Sequence, residues 1–328
     1  MSTKPPKTIT YLHLLRLPCS TDEIMNTNPI NPADFQRSVV AHPSLARQNN
    51  FDVCPENNRR IIQHIEQGGI DILLYATNAN FAHIRPSEYE RTLEVLADCC
   101  SQETRLIPAA GPGYGTLMDQ AVILKRLRFS SAMVLPNASV MTEPGFMNGF
   151  RNFVQALGHP AALCINNEND ISPEAVAELV EQGEVSFIQY AIARDNREED
   201  AWLSRLVERV DPSLILSGLG EQQAMVHITK FRCAGFVSGG ACINPALSMQ
   251  FLKAVHDKNY DLAENIRSAF SPLEDLCHEV HAIRILHEAV SACDIADVGP
   301  YLPMLSGLAS SKAKQVKIAA TTLLNSGT

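Results

Sequence analysis

The chain has 328 residues, a formal net charge of −9, 45% hydrophobic residues and 19% charged residues. This composition is typical of a globular protein with a buried core, and it excludes wholesale disorder. The net negative charge and the lack of a basic run argue against a nucleic-acid surface. No apolar stretch approaches the ~20 residues that span a bilayer, so no membrane partner is expected.

Residues 1–37 form a polar leading segment, which we interpret as an N-terminal arm. Asn26 to Pro32 has the composition of a loop. His13 and Arg16 interrupt the short apolar run at 11–17, which therefore does not indicate a signal peptide. Nine scattered cysteines, without a C-x-x-C pair, favour a reduced, cytoplasmic chain.

From residue 38 onward, short apolar runs alternate with amphipathic helical stretches. Each run is nearly continuous, as expected for a parallel strand that is buried on both faces. The predicted strands are Ser38–Ala41, Asp71–Ala76, Arg105–Ala109, Ala132–Leu135, Ala161–Ile165, Val185–Tyr190, Leu214–Leu216 and Gly235–Ser238.

The stretches between these runs carry helix signals. Phe146, Phe150 and Phe153 share one helical face, and Ser172 followed by Pro173 is a typical helix start. Eight strands alternating with eight helices predict an α/β fold, namely a (β/α)8 TIM barrel. A doubly wound sheet remains the second interpretation, although no G-x-G-x-x-G follows the first strand.

The predicted barrel covers residues 38–258, and a C-terminal helical extension covers residues 259–328. Leu262, Ile266 and Phe270 begin the helical pattern of this extension.

In a barrel of this kind, the functional site lies at the C-terminal ends of the strands. The side chains expected there are mostly amides and hydroxyls, which suit a small oxygenated ligand, and few are strong bases. The candidates are His42, Ser44, Thr77, Asn78, Asn80, His83, Asn137, Ser139, Asn166, Asn167, Glu168, Gln189, Tyr190, Arg194, Ser217, Glu221 and Ser238.

Several stretches of the chain are similar to one known family. Leu216-Ser217-Gly218, Gly235–Ser238 with Asn244-Pro245, Ala254–Ala263 and Ile171–Glu174 resemble segments of the dihydrodipicolinate synthase / N-acetylneuraminate lyase family. The resemblance covers residues 38 to about 305. It implies a lyase that forms a Schiff base between a lysine and pyruvate or another 2-oxo acid. It further implies a homotetramer or homodimer, and we expect no cofactor and no metal.

The chain departs from the family at three positions of the site. Thr77 is retained where the family has a Thr-Thr pair, but the second Thr is replaced by Asn78. The resemblance places Ala138 at the family's catalytic tyrosine and Gln189 at its imine-forming lysine. A glutamine amide is not a useful nucleophile, so classical imine catalysis is not expected.

No other lysine is expected to replace the missing one. The nine lysines all fall in outer helices or in the two tails, away from the C-terminal ends of strands. They are Lys4, Lys7, Lys125, Lys230, Lys253, Lys258, Lys312, Lys314 and Lys317.

Three further signals are open to a plain interpretation. Gly111–Gly115 lacks the Lys-Ser/Thr ending of a P-loop and is interpreted as a tight turn. Cys277–His281 could suggest a metal, but a solvated helix face is the better interpretation. A third possibility is a divalent metal site over the barrel mouth, although no spacing motif supports it. Its ligands would be His42, His83, Glu168 and Glu221.

Two hypotheses of function therefore remain. The first is a lyase-type enzyme with a changed mechanism, which binds a small 2-oxo acid without an imine. Its predicted binding residues are Thr77, Asn78, Asn137, Gln189, Arg194, Ser217 and Ser238, of which Arg194 would pair with a carboxylate or form a surface ion pair. The second is a non-catalytic ligand-binding or regulatory barrel that retains the pocket, and Gln189 could also be a plain core residue.

Overall fold

A computed structural model describes residues 26–136 and 140–327. Eight parallel strands close into a barrel in the order of the sequence, which confirms the predicted fold. The strands are β1 Val40–Ala41, β2 Ile72–Tyr75, β3 Arg105–Ala110, β4 Met133–Val134, β5 Ala161–Ile165, β6 Val185–Tyr190, β7 Ile215–Ser217 and β8 Gly235–Ser238. The bounds of each strand lie within two residues of its predicted apolar run.

The helices of the described residues surround the barrel and continue beyond it. They are α1 Pro32–Arg37, α2 Pro55–Gln67, α3 Pro86–Cys99, α4 Tyr114–Arg126, α5 Glu143–Leu157, α6 Pro173–Glu181, α7 Ala201–Val207, α8 Glu221–Thr229, α9 Pro245–His256, α10 Tyr260–Leu276, α11 Ala282–Ala292 and α12 Ser310–Leu324. None of these helices is long and apolar enough to cross a membrane.

The end of the predicted N-terminal arm is helical. Asn31 caps α1 through its side chain, and Asp34 returns the hydrogen bond in a capping box. Phe35 is buried, and its ring meets that of Phe187 at a centroid distance of 5.0 Å. This contact anchors α1 on the barrel. The rest of the arm, residues 1–25, lies outside the described residues.

Strand alternation decides which side chains enter the barrel. In β6, Gln189 faces inward, whereas the Tyr190 ring packs against Trp202 of α7 and His227 of α8. The register pairs Gln189 with Leu216 and Tyr190 with Ser217. Neighbouring residues in register share a face of the sheet, so Ser217 faces outward with Tyr190.

The C-terminal helices cover the end of the barrel where the strands finish. Phe270 and Leu273 of α10 and Ile285 of α11 are buried. Between α10 and α11, residues Cys277–His281 form a π-helical segment. The Asn244 amide, at the start of α9, donates to the carbonyl oxygens of Leu323 and Ser326, which ties α12 to the barrel.

Candidate active site

A cavity of about 200 Å³ lies at the C-terminal ends of the strands, under α10 and α11. This is the position expected for the site of an α/β barrel. The cavity is lined by His42, Thr77, Asn78, Cys164, Asn166, Gln189, Ala191, Gly218, Leu219, Gly220, Val237, Gly239, Gly240, Leu273, Glu274, Cys277, His278, Ala282 and Leu286.

Three polar residues form one wall of this cavity. The backbone N–H of Asn78 donates to Nε2 of His42 at 3.2 Å, and the Asn78 side-chain amide donates to the His42 carbonyl oxygen at 3.2 Å. The Thr77 hydroxyl lies 3.5 Å from the same Nε2. Burial lowers the pKa of His42 to about 3, so this ring is neutral at ordinary pH.

Gln189 projects into the cavity from β6. It is 5% exposed, and its amide makes no hydrogen bond within the described part of the chain. Buried amides normally have partners, so an unpartnered one that faces a cavity offers a donor and an acceptor to a ligand. Cys164 of β5 is beside it in register, and burial raises the pKa of that thiol to about 12.

The cavity wall contains neither Lys nor Arg among the described residues. The described lysines lie on α4, α8, α9 and α12 or at their ends, as expected from the sequence. Lys4 and Lys7 fall outside the described residues. The described part of the lining therefore offers no amine for an imine.

The C-terminal helices supply residues that were not among the sequence candidates. Glu274 of α10 lines the cavity, and its carboxylate accepts the backbone N–H groups of Glu221 and Gln222 at the start of α8. Cys277 and His278 also line it. His278, Glu279 and His281 are exposed, as predicted for a solvated helix face, but the segment also borders the cavity through Cys277 and His278. The sequence carried no signal for this position, because a π-helical segment, which often marks a functional site, is visible only in the structure.

Ser217 and Ser238 do not line the cavity, which corrects their predicted role in binding. The Ser217 hydroxyl lies 2.8 Å from Nδ1 of His227 on α8. The Ser238 hydroxyl donates to the Glu221 carboxylate at 2.7 Å and accepts from the N–H of Ala241 at 2.9 Å. Both residues point away from the barrel axis because they occupy the outward positions of β7 and β8.

Arg194 is engaged in ion pairs away from the cavity wall. Its Nε lies 3.1 Å from a carboxylate oxygen of Asp200, and its Nη1 lies 2.7 Å from one of Glu168. Asp200 is buried and also accepts from the Tyr190 hydroxyl. Arg194 is not among the residues that line the cavity, and its predicted binding of a carboxylate ligand stays a prediction. The alternative that the sequence left open, an ion pair, is formed, and its partners are Glu168 and Asp200. The predicted Asn137 lies outside the described residues.

The four candidate metal ligands do not converge. Glu221 is held by Ser238 and Ser248, whereas Glu168 pairs with Arg194. Over residues 26–136 and 140–327 there is no group of three His, Cys, Asp or Glu residues placed to hold a metal ion. The glycine-rich stretch Gly111–Gly115 leads into α4, outside the cavity.

Comparison with solved structures identifies the class of fold as the α/β barrel with C-terminal helices. A dihydrodipicolinate synthase from Agrobacterium tumefaciens is 18% identical, with a TM-score of 0.78 over 89% of this chain and 99% of that one. One from Oceanobacillus iheyensis is 16% identical, with a TM-score of 0.77 over 88% and 96%. DHDPS from Cyanidioschyzon merolae with lysine bound is 17% identical, with a TM-score of 0.77 over 88% and 98%.

The chain therefore has the fold of the dihydrodipicolinate synthases. No protein-family profile and no curated protein sequence matches it.

Proposed function

We propose that this barrel is a dihydrodipicolinate synthase-like lyase that binds a small 2-oxo acid in its cavity and acts without an imine. Three observations support this proposal. The fold matches that of solved dihydrodipicolinate synthases, and the cavity lies where α/β barrels carry their functional sites. The lining holds hydroxyl and amide groups suited to carbonyl and carboxylate oxygens. The described lining holds no lysine.

The unpartnered Gln189 amide is the observation that carries the proposal. Its Nε2–H groups can donate to the ligand's oxo or carboxylate oxygen, and its Oε1 can accept from a ligand hydroxyl. Thr77 offers a hydroxyl to the same volume. Asn78 contributes less than the sequence indicates, because both of its N–H groups described above already donate to His42.

The alternative function is a non-catalytic ligand-binding barrel. The missing amine favours it, because Gln189 can bind an oxo acid but cannot attack it. The two functions share the ligand and differ in turnover. The expected homotetramer or homodimer and the expected cytoplasmic location stay predictions.

The first experiment is intact-mass analysis after incubation with pyruvate and borohydride. We expect an unmodified mass, while a lysine-containing dihydrodipicolinate synthase that is treated alongside becomes trapped as a pyruvyl adduct. A stable adduct on this chain would contradict an imine-free site.

The second experiment is a thermal-shift series with 2-oxo and hydroxy acids, because a ligand at 100 times its Kd adds ~2.7 kcal/mol to the free energy of unfolding. Turnover of a bound acid then separates the enzyme from the non-catalytic barrel.

A further inference from the structure

An exposed histidine borders the cavity. His278 lies in the π-helical segment Cys277–His281, between α10 and α11, and lines the cavity beside Cys277. The residue is exposed, so solvent reaches it as well as a bound ligand. Within the described residues its ring makes no hydrogen bond and no ion pair. A π-helical segment often marks a functional site, and this one brings an unpartnered imidazole ring to the cavity.

The other groups of the lining that could transfer a proton are already engaged or hold their protons. Nε2 of His42 accepts a backbone N–H from the loop after β2, and the ring is buried. The two carboxylate oxygens of Glu274 accept the backbone N–H groups that begin α8. Burial raises the pKa of the Cys164 and Cys277 thiols to about 12. Among the described residues of the lining, only His278 therefore offers a basic nitrogen without a partner.

Gln189 supplies a complementary group to the same cavity from β6. Its side-chain amide is buried, lines the cavity and has no hydrogen-bond partner among the described residues. An N–H donor at such a site stabilises negative charge that develops on a ligand oxygen, as in an oxyanion hole. Removal of a proton next to a carbonyl group uses these two kinds of group, a base for the proton and a donor for the oxygen.

We propose that His278 is a general base that removes a carbon-bound proton next to the oxo group of the ligand. The C–H bond breaks, its electron pair forms the C=C bond of an enolate, and the negative charge moves to the oxo oxygen. The Gln189 amide donates to that oxygen, and His278 holds the proton until it returns to carbon. This inference rests on the proposed function and deepens it, because it assigns a base to a reaction that proceeds without an imine.

The test is the exchange of the methyl protons of pyruvate for deuterium in D2O, followed by proton NMR. This exchange reports the proton transfer by itself and does not require the complete reaction. We expect the full chain to exchange these protons above the rate of the buffer. His278→Ala should lose about 100-fold or more of the protein's rate, because general base catalysis typically contributes 10²–10⁴-fold.

Two controls separate a base from a structural residue. Added imidazole should restore exchange in His278→Ala above the rate of imidazole alone, which the loss of a structural contact would not allow. His281→Ala is the matched variant, because His281 is exposed on the same segment but does not line the cavity. It should exchange like the unchanged protein and gain nothing further from imidazole.

Equal exchange rates of the unchanged protein and His278→Ala would overturn the role of His278, and so would imidazole rescue that is no greater than in His281→Ala. The neutral ketone hydroxyacetone is tested beside pyruvate, so that the two proposals can fail separately. Exchange of hydroxyacetone alone, lost in His278→Ala, would support the base and contradict a 2-oxo acid as the ligand. Thermal-shift binding of pyruvate without exchange of either compound would support the ligand and overturn the base.

Discussion

Asn78 and His42 are joined by two hydrogen bonds, one from the Asn78 backbone to the ring and one from the Asn78 side chain to the His42 backbone, each 3.2 Å long. The ring nitrogen Nε2 must accept, so the proton of the neutral ring lies on Nδ1. A protonated His42 would lose this bond. The contact between β1 and the loop after β2 therefore depends on a neutral imidazole.

This dependence predicts acid sensitivity. Burial lowers the pKa of His42 to about 3 and that of His227 to about 4. The unfolded chain takes up these protons near pH 6.5, so the free energy of unfolding falls as pH decreases from about 6.5 towards 3–4, by ~1.4 kcal/mol per pH unit for each ring. His42→Gln should flatten this slope in urea titrations. The exposed control His83→Gln should leave it unchanged, and equal slopes in all three proteins would contradict the prediction.

A second prediction concerns Gly220, which places Glu274. Gly220 has φ +69°, and a Cβ there would lie 1.9 Å from Oε1 of Glu274. Gly220→Ala should displace the carboxyl group and cost ~1–3 kcal/mol of stability together with pyruvate affinity. Gly183→Ala is the matched control, because its φ is +71° but nothing lies within 4 Å of the new Cβ. Denaturation and calorimetry of both variants separate the clash from the backbone strain.

A third prediction restores an amine to the cavity. Gln189→Lys places an amine in a buried site whose described lining holds neither Lys nor Arg, and burial should lower its pKa and favour attack on an oxo group. We expect intact-mass analysis with pyruvate and borohydride to show a pyruvyl adduct. Gln182→Lys, on the exposed end of α6, should remain unmodified. A folded Gln189→Lys protein that binds pyruvate without an adduct would contradict the position assigned to Gln189.

A fourth prediction separates stability from binding at Arg194. Arg194→Ala leaves the buried Asp200 carboxylate without its guanidinium partner. Because Arg194 itself is partly exposed, we expect a loss of ~1–3 kcal/mol in urea denaturation. Pyruvate affinity should change by less than about twofold, since Arg194 does not line the cavity. A large loss of affinity at unchanged stability would support the predicted role in carboxylate binding.

The barrel could be predicted from the sequence because its strands are buried on both faces. Runs such as Ala161–Ile165 and Val185–Tyr190 are nearly continuous in apolar residues, and the structure has the same bounds. The faces of polar strand residues are harder to predict. Alternate residues of a strand face opposite sides, so an error of one residue in the predicted position moves a side chain from the inside of the barrel to the outer helices. Ser217 and Ser238 are examples, since both face outward.

The site residues that the sequence did not predict are brought to the cavity by tertiary packing. Glu274 lies about 50 residues beyond the start of α8, on a helix whose pattern gives its amphipathic period but not the surface on which it docks. Arg194 follows β6 closely, as expected for a binding residue, yet Asp200 and Glu168 are nearer partners than the cavity. A position just after a strand therefore predicts that a residue lies near the mouth of the barrel. It does not predict whether that residue binds the ligand.

The π-helical segment Cys277–His281 fixes an angular relation between two helices. A helix turns by about 100° per residue, and a π turn accommodates one surplus residue. Glu274 before the segment faces the cavity, while Ile285 after it packs into the core. Deleting one residue from the segment would rotate one of these faces away by about 100°. The number of residues in this segment is therefore constrained independently of their side chains. It sets which faces of α10 and α11 point towards the barrel.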